Sequence, residues 1–437
     1  MPPTRQTVRD IFRQALASID ISSVMERKIQ FDHSRIILPS RTIELPAVSR
    51  IIVIAVGKAA HAMVNGLVSV LPPGTSLTGV VAAPIEPHNP VPGMKYFVAG
   101  HPIPNHDSLR AAEAVLHLLQ TSDPQTLVFF LLSGGGSALL ELPLLPALTL
   151  DDVQSLHRAL VTCGAPIHAM NTVRRHLSAV KGGRLALAAA EAQKITLAVT
   201  DVPLGKEAAL ASGPTLPDPT TIGDVNRILA EYNLSTLFPP AFVEWLEAGD
   251  MPETPKSDHP AFANAHFELL LGMDDLFHAA HHAVEAHGYI SFCDNSTDDW
   301  PVEQAATNLL LQLETWQREN PGERVALIAD GEVSSPVTGN GIGGRNSAFV
   351  LCCVEKIAGR KITVLSAGTD GVDGNSPAAG AVADGDTLPR AKSLGLNPRD
   401  ALRNSDAYTF FAQLGDAVIT GPTGNNLRDL RILLAEP

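Results

Sequence analysis

Charge is scarce in this chain, and positive charge is scarcer than negative. Only 18% of the 437 residues are Asp, Glu, Lys or Arg, and 46 acids outnumber 32 bases. The formal charge of −14 excludes a broad basic face of the kind that holds nucleic acid. Any anionic ligand must be met by a few local Lys and Arg side chains and by backbone N–H groups. Cysteine is rarer still. Cys163, Cys293, Cys352 and Cys353 lie in apolar segments without CxxC spacing, which excludes a disulfide framework and predicts reduced thiols and a cytoplasmic location. No apolar run approaches membrane-spanning length. The opening MPPTRQTVRDIFRQAL has no secretory apolar stretch, and Val8, Ile11, Phe12, Ala15, Leu16 and Ile19 recur at helical spacing.

What is present is a large apolar reserve, 45% of residues, with 34 Gly and 33 Pro spread along the chain as tight connections. Runs at 50–56, 77–82, 95–98, 127–132 and 194–200 are rich in Val, Ile, Leu and Phe and read as buried strands, with helices at 107–120 and 149–160 between them. Such alternation predicts βα units and a parallel sheet covered by helices on both faces. Pro and acidic residues thicken at 249–260 (GDMPETPKSDHP), the expected linker. Beyond it, strands at 289–293, 324–329 and 362–366 alternate with helices at 302–317 and 347–357. The expected organisation is therefore two α/β domains, 1–250 and 261–437, with a cleft between them as the default active site. The acidic, apolar-rich composition allows a homodimer without requiring one.

Ligands of parallel sheets collect at the carboxyl ends of the strands, so the residues following each strand carry the functional argument. After 127–132 the chain runs Ser133-Gly134-Gly135-Gly136-Ser137, a glycine turn into a helix start that can aim backbone N–H groups at an anion. After 50–56 comes Gly57-Lys58; a lysine at a helix start is disfavoured by the helix dipole unless an anion shares the site. In NTVRRHLSAVKGGR, Arg174, Ser178 and Lys181 fall on one face if the helix runs through all three. Asp201 stands at the carboxyl edge of 194–200, placed to hold Mg²⁺ or to accept a hydroxyl proton. After 324–329 a glycine-rich loop containing Gly341 and Gly343 leads to Arg345, which could stabilise transferring phosphoryl oxygens. Asp370 and Asp373 follow 362–366 among glycines and suit a metal or phosphate turn, or a purely structural one. His101 and His106, five apart across prolines, make a poor metal pair.

Neither glycine cluster satisfies a dinucleotide fingerprint. Leu139 occupies the third glycine position after Gly134 and Gly136, and the literal GxGxxG of 339–344 stands far from its strand. Neither Gly57-Lys58 nor Gly205-Lys206 is a Walker A loop, since no Ser or Thr follows the lysine.

Taken together, VGKAAHAM (56–63), GHPIPNHDS (100–108), LLSGGGSALLELP (131–143), NTVRRHLSAVKGGRLA (171–186), VTDVPLGKEAALASGPT (199–215), GNGIGGRNS (339–347), SAGTDGVDGNSPAAGA (366–381) and TGPTGNN (420–426) resemble the class II glycerate 2-kinases, some of which carry the name hydroxypyruvate reductase. The resemblance spans nearly the whole chain in order and is loose over 216–300. It implies a Rossmann-like N-terminal domain, a smaller α/β C-terminal MOFRL domain, and transfer of the γ-phosphoryl of ATP to the 2-hydroxyl of D-glycerate with Mg²⁺. The family's favoured active-site lysine and arginine fall on Lys58 and Arg345. Under this reading Lys58, Arg345 and Asp201 are catalytic. Ser133, Gly134, Gly135, Gly136, Ser137, Lys181, Gly341 and Gly343 bind the nucleotide, and Asp201, Asp370 and Asp373 bind the metal. The competing readings are an NAD(P)H-dependent hydroxypyruvate reductase and a non-catalytic phospho-ligand module.

Overall fold

A computed structural model describes residues 4–437 apart from His33, Pro46, Ala47, Leu204 and Asn426; Leu204 of the 199–215 stretch and the last residue of TGPTGNN thus lie outside the described residues. The chain forms two compact units, Ile21–Leu271 and a second made of Met1–Asp20 with Gly272–Pro437.

The Ile21–Leu271 unit is built on β1 (Arg50–Val56), β2 (Leu77–Ala83), β3 (Met94–Val98), β4 (Thr126–Ser133), β5 (Gln193–Val199) and β6 (Ala265–Leu271). Their order is β3-β2-β1-β4-β5-β6 and every neighbouring pair is parallel. Every residue of β4 is buried, as expected of a central strand covered on both faces. Between β1 and β4 the winding reverses: the chain steps outward through β2 and β3, then returns to the centre and steps the other way. The carboxyl ends of β1 and β4 flank that switch point, where open α/β sheets bind ligands. The helix His106–Leu119 is started by an Asn105–Ser108 capping box and Leu150–Thr162 by Thr149–Asp152, close to the predicted spans. An antiparallel meander at Gln30–Asp32, Arg35–Leu38 and Arg41–Glu44 is unannounced by any long apolar run.

The other unit contains β7 (Ile290–Cys293), β8 (Val325–Asp330), β9 (Ile362–Gly368), β10 (Gly380–Asp384), β11 (Ala417–Val418) and β12 (Asp429–Ala435), ordered β7-β8-β12-β9-β10-β11. Only β7 and β8 pair in parallel; β12 runs antiparallel between β8 and β9, so this α/β unit carries a mixed sheet. Helix α1 (Thr4–Ser18) belongs here, its apolar stripe Val8, Ile11, Phe12 and Ala15 buried. The division thus differs from the expected 1–250 and 261–437 at both ends. The amphipathic helix joins the C-terminal unit, and residues 265–271 complete the first sheet as its sixth strand. Among the described residues no helix is long and apolar enough to cross a membrane.

Candidate active site

At the switch point the turns after β1 and β4 are stitched together. Gly57 has φ +130°, and a Cβ placed on it would lie 2.1 Å from Ser133 Oγ and 2.6 Å from the Ser133 carbonyl oxygen. Only glycine lets the strands approach this closely. The Lys58 amide donates to Gly134 O at 3.0 Å and the Ala59 amide donates to the buried Ser133 Oγ at 3.0 Å. Ser133 is therefore a brace between turns rather than a ligand contact. Gly135 adopts φ +87° and starts the short helix Gly136–Leu139.

These bonds fix the Lys58 backbone, while its ammonium makes no hydrogen bond or salt bridge to a described residue. His101 stands beside the same turn; a Cβ on Gly135 would come 3.0 Å from its ring. Partial desolvation, reinforced by the Lys58 charge, pushes the His101 pKa down although the side chain is exposed. His101 was discounted as a metal ligand in the sequence, but it follows β3 and so shares the strand-end position of the other site residues. Ser137 Oγ lies 2.8 Å from Ser212 Oγ, which donates to Asn171 Oδ1 at 3.2 Å. Ser212, at φ +60°, and Asn171 thus brace the helix start, and Gly136 makes room for Ala211. Asp201 lies two residues past the end of β5.

Lys181 does not face this turn. Helix Ile167–Leu177 ends before it, so the expected basic face through Ser178 and Lys181 does not form. The Lys181 ammonium, 1% exposed, donates to Glu141 Oε2 at 2.6 Å, Leu140 O at 3.1 Å and Ser178 Oγ at 3.4 Å. All three of its protons are taken inside the protein. Burial opposes the Glu141 charge, but Lys181 and His157 outweigh it and bring the carboxyl to about 2.

In the C-terminal unit Arg345 opens α2 (Arg345–Val354). Its Nε donates to Asp429 Oδ2 at 2.5 Å and one terminal nitrogen donates to Glu332 Oε2 at 2.6 Å. Burial works against its charge, but the two carboxylates hold its pKa well above the usual guanidinium value. Two partners account for two of five N–H groups. Gly368 brings Asp370 and Asp429 together, since a Cβ there would lie 3.0 and 3.3 Å from a carboxylate oxygen of each. Nearby Asp330 is raised by burial to about 6 against the pull of Arg428 and Arg431.

Two of the expected site groups already have partners inside the protein. Asp373 is buried, and its carboxylate accepts from the Asn346 amide (2.9 Å), the Ser347 amide (2.8 Å) and Ser347 Oγ (2.6 Å). It caps α2. Asp373→Ala is expected to cost about 1–2 kcal/mol of stability, read as a lowered melting temperature; an unshifted melting curve would remove the capping role. The glycine-rich loop is likewise occupied: Gly341 N–H donates to Asn404 O (2.9 Å), Ile342 N–H to Asp406 Oδ1 (2.9 Å) and Gly343 N–H to Asn375 Oδ1 (2.8 Å). Gly341 and Gly343 therefore offer no free amide to a phosphate.

Comparison with known proteins places these turns in context. A family model described as "Domain of unknown function (DUF4147)" matches residues 7–247, and the MOFRL family model matches residues 325–429. The chain is 34% identical over 403 residues to a D-glycerate 2-kinase of Thermotoga maritima, covering 91% of this chain and 94% of that protein. It is 34% identical to a putative hydroxypyruvate reductase of Agrobacterium vitis over 98% of this chain and 94% of that one. A crystal structure of glycerate kinase from Thermotoga maritima superposes with a TM-score of 0.85 at 31% identity, covering 99% of each chain.

Proposed function

Since the chain belongs to the glycerate 2-kinase family that joins a DUF4147 region to a MOFRL region, we propose that it transfers the γ-phosphoryl of ATP to the 2-hydroxyl of D-glycerate, giving 2-phosphoglycerate and ADP. The observation that carries this reading is Lys58, an ammonium without a counter-ion among the described residues, held at the switch point of a parallel sheet by the Gly57 and Ser133 turns. Phosphoryl transfer asks a protein for position and positive charge, and Lys58 supplies both. It neutralises charge on the transferring group or on the glycerate carboxylate, with the amides of Gly135, Gly136 and Ser137 as companions. Asp201, past β5, orients the 2-hydroxyl and takes its proton. Arg345 pairs with transferring phosphoryl oxygens; Glu332, whose side chain is 45% exposed, is the partner a phosphoryl oxygen displaces, while Asp429 stays to hold the guanidinium.

Mg²⁺ would reduce the negative charge of the ATP phosphates when bound. Among the described residues no group of three or more His, Cys, Asp or Glu could hold a metal ion, and Asp373 is spent on its helix. The donor set therefore fits an ion carried mainly by phosphates and water, with Asp201 or Asp370 as a single carboxylate ligand. The reductase reading is disfavoured at both glycine turns: Leu139 stands where a dinucleotide fingerprint has its third glycine, and the amides of Gly341, Ile342 and Gly343 are bonded internally.

Purified protein with D-glycerate, ATP and Mg²⁺ should release ADP and form 2-phosphoglycerate. NADH oxidation with hydroxypyruvate and no ADP release would overturn the kinase reading.

A further inference from the structure

The Gly339–Gly344 glycines, having no phosphate to hold, need another explanation, and the cavity beside them supplies it. The C-terminal unit contains a cavity of about 390 Å³, within the size range of small-molecule sites. Its walls are largely aliphatic, with Val302, Val337, Ala348, Ala401 and Leu402 among them, and Arg345 lines it as well. Part of one wall is the end of the glycine loop, Gly343 and Gly344, next to Thr338 and Ser405. Cβ atoms on Gly339 and Gly341 would lie 2.5 and 2.4 Å from Asn404 O and Asp406 Cβ, so the loop lies flat on the 404–406 turn. The Thr338 amide donates to Ser405 Oγ (2.9 Å) and the Tyr408 amide donates to Ile342 O (2.9 Å), pinning both sides of that contact. Gly339 and Gly341 thus seat the loop on this turn, and the loop carries Gly343 and Gly344 into the pocket wall. Val337 projects from it at 83% exposure, an apolar side chain left to water.

Resting on the kinase reading, we infer that this cavity takes the adenine nucleoside end of ATP. Of the two reactants, glycerate and the triphosphate are oxygen-rich throughout, and an aliphatic pocket would strip their hydration without replacing it. The purine is the one reactant fragment with broad apolar faces, and seating it here removes Val337 and its neighbours from water, a favourable burial. Arg345, in the same lining, is the group through which the phosphate end is met.

Calorimetry with adenosine, which has the base and no phosphate, tests this on the full chain. Adenosine should bind the parent protein and bind at least about tenfold more weakly to Ala401→Leu, which fills the cavity. Val337→Asp, at an exposed site that does not challenge folding, should weaken it comparably. KM for ATP should rise in step while KM for D-glycerate stays put. Unchanged adenosine affinity in both variants, or a parent protein that turns over ATP without binding adenosine, overturns the inference. Adenosine binding lost in the variants, with no phosphorylation of D-glycerate by the parent, keeps the pocket and overturns the kinase reading.

Discussion

Lys58→Met is expected to lower kcat about 10³-fold while leaving the melting temperature where it was. The effect on rate is large because the ammonium has no carboxylate partner among the described residues to share its charge; its charge is available to the reacting anion. The effect on stability is small because what anchors the residue is its amide, bonded to Gly134 O, and methionine keeps that bond and the aliphatic stem. Arg345→Met provides the contrast. It should cost comparable rate, but it also strands the Asp429 carboxylate, whose side chain is 6% exposed, so the melting temperature should fall too. Steady-state kinetics and thermal melts on the two variants separate these outcomes. A Lys58→Met enzyme with parental kcat would remove the lysine from the chemistry.

Gly57→Ala should be the most damaging methyl group that can be added to the site. Two penalties coincide there: a left-handed backbone that an L side chain avoids, and a Cβ 2.6 Å from a backbone oxygen of the neighbouring strand end. The turns must separate to admit it. Together these predict a loss on the order of 3 kcal/mol, or about 6–12 °C in melting temperature for a unit of this size, and near-complete loss of turnover because Lys58 moves with the turn. Gly74→Ala is the control, since a Cβ there meets nothing within 4 Å although φ is +83°; it carries the backbone penalty alone. Equal effects of the two substitutions would refute the close-approach argument.

The strands of the parallel sheet were legible because burial on both faces leaves an unmistakable apolar run, as in Thr126–Ser133. The strand-end rule then brought Lys58 and the Ser133–Ser137 turn together without coordinates. What stayed hidden was occupancy. Lys181 and Asp373 are the residue types a phosphate or metal site needs, but one is consumed by Glu141 and the other by a helix terminus. Long-range partners 40 and 26 residues away cannot be read from local spacing. His101 escaped for the opposite reason: its pairing with His106 was tested for metal geometry, while its place after β3 was the informative fact. Strand β12 is hard to read because Asp429 and Arg431 interrupt its start and leave an apolar run of only four residues, ILLA.

Helix α1 has a consequence for how the chain is made. Its stripe of Val8, Ile11, Phe12 and Ala15 is buried in the unit that resumes at Gly272, with the whole Ile21–Leu271 unit synthesised in between. At about 5–20 residues per second, the ribosome takes tens of seconds to deliver the surfaces this helix covers. During that interval the sheet of the inserted unit, continuous in sequence from β1 to β6, is completed, while the amphipathic segment 4–18 waits without the surfaces that cover its apolar stripe. Chaperone demand in biosynthesis should therefore centre on the first twenty residues rather than on the parallel sheet.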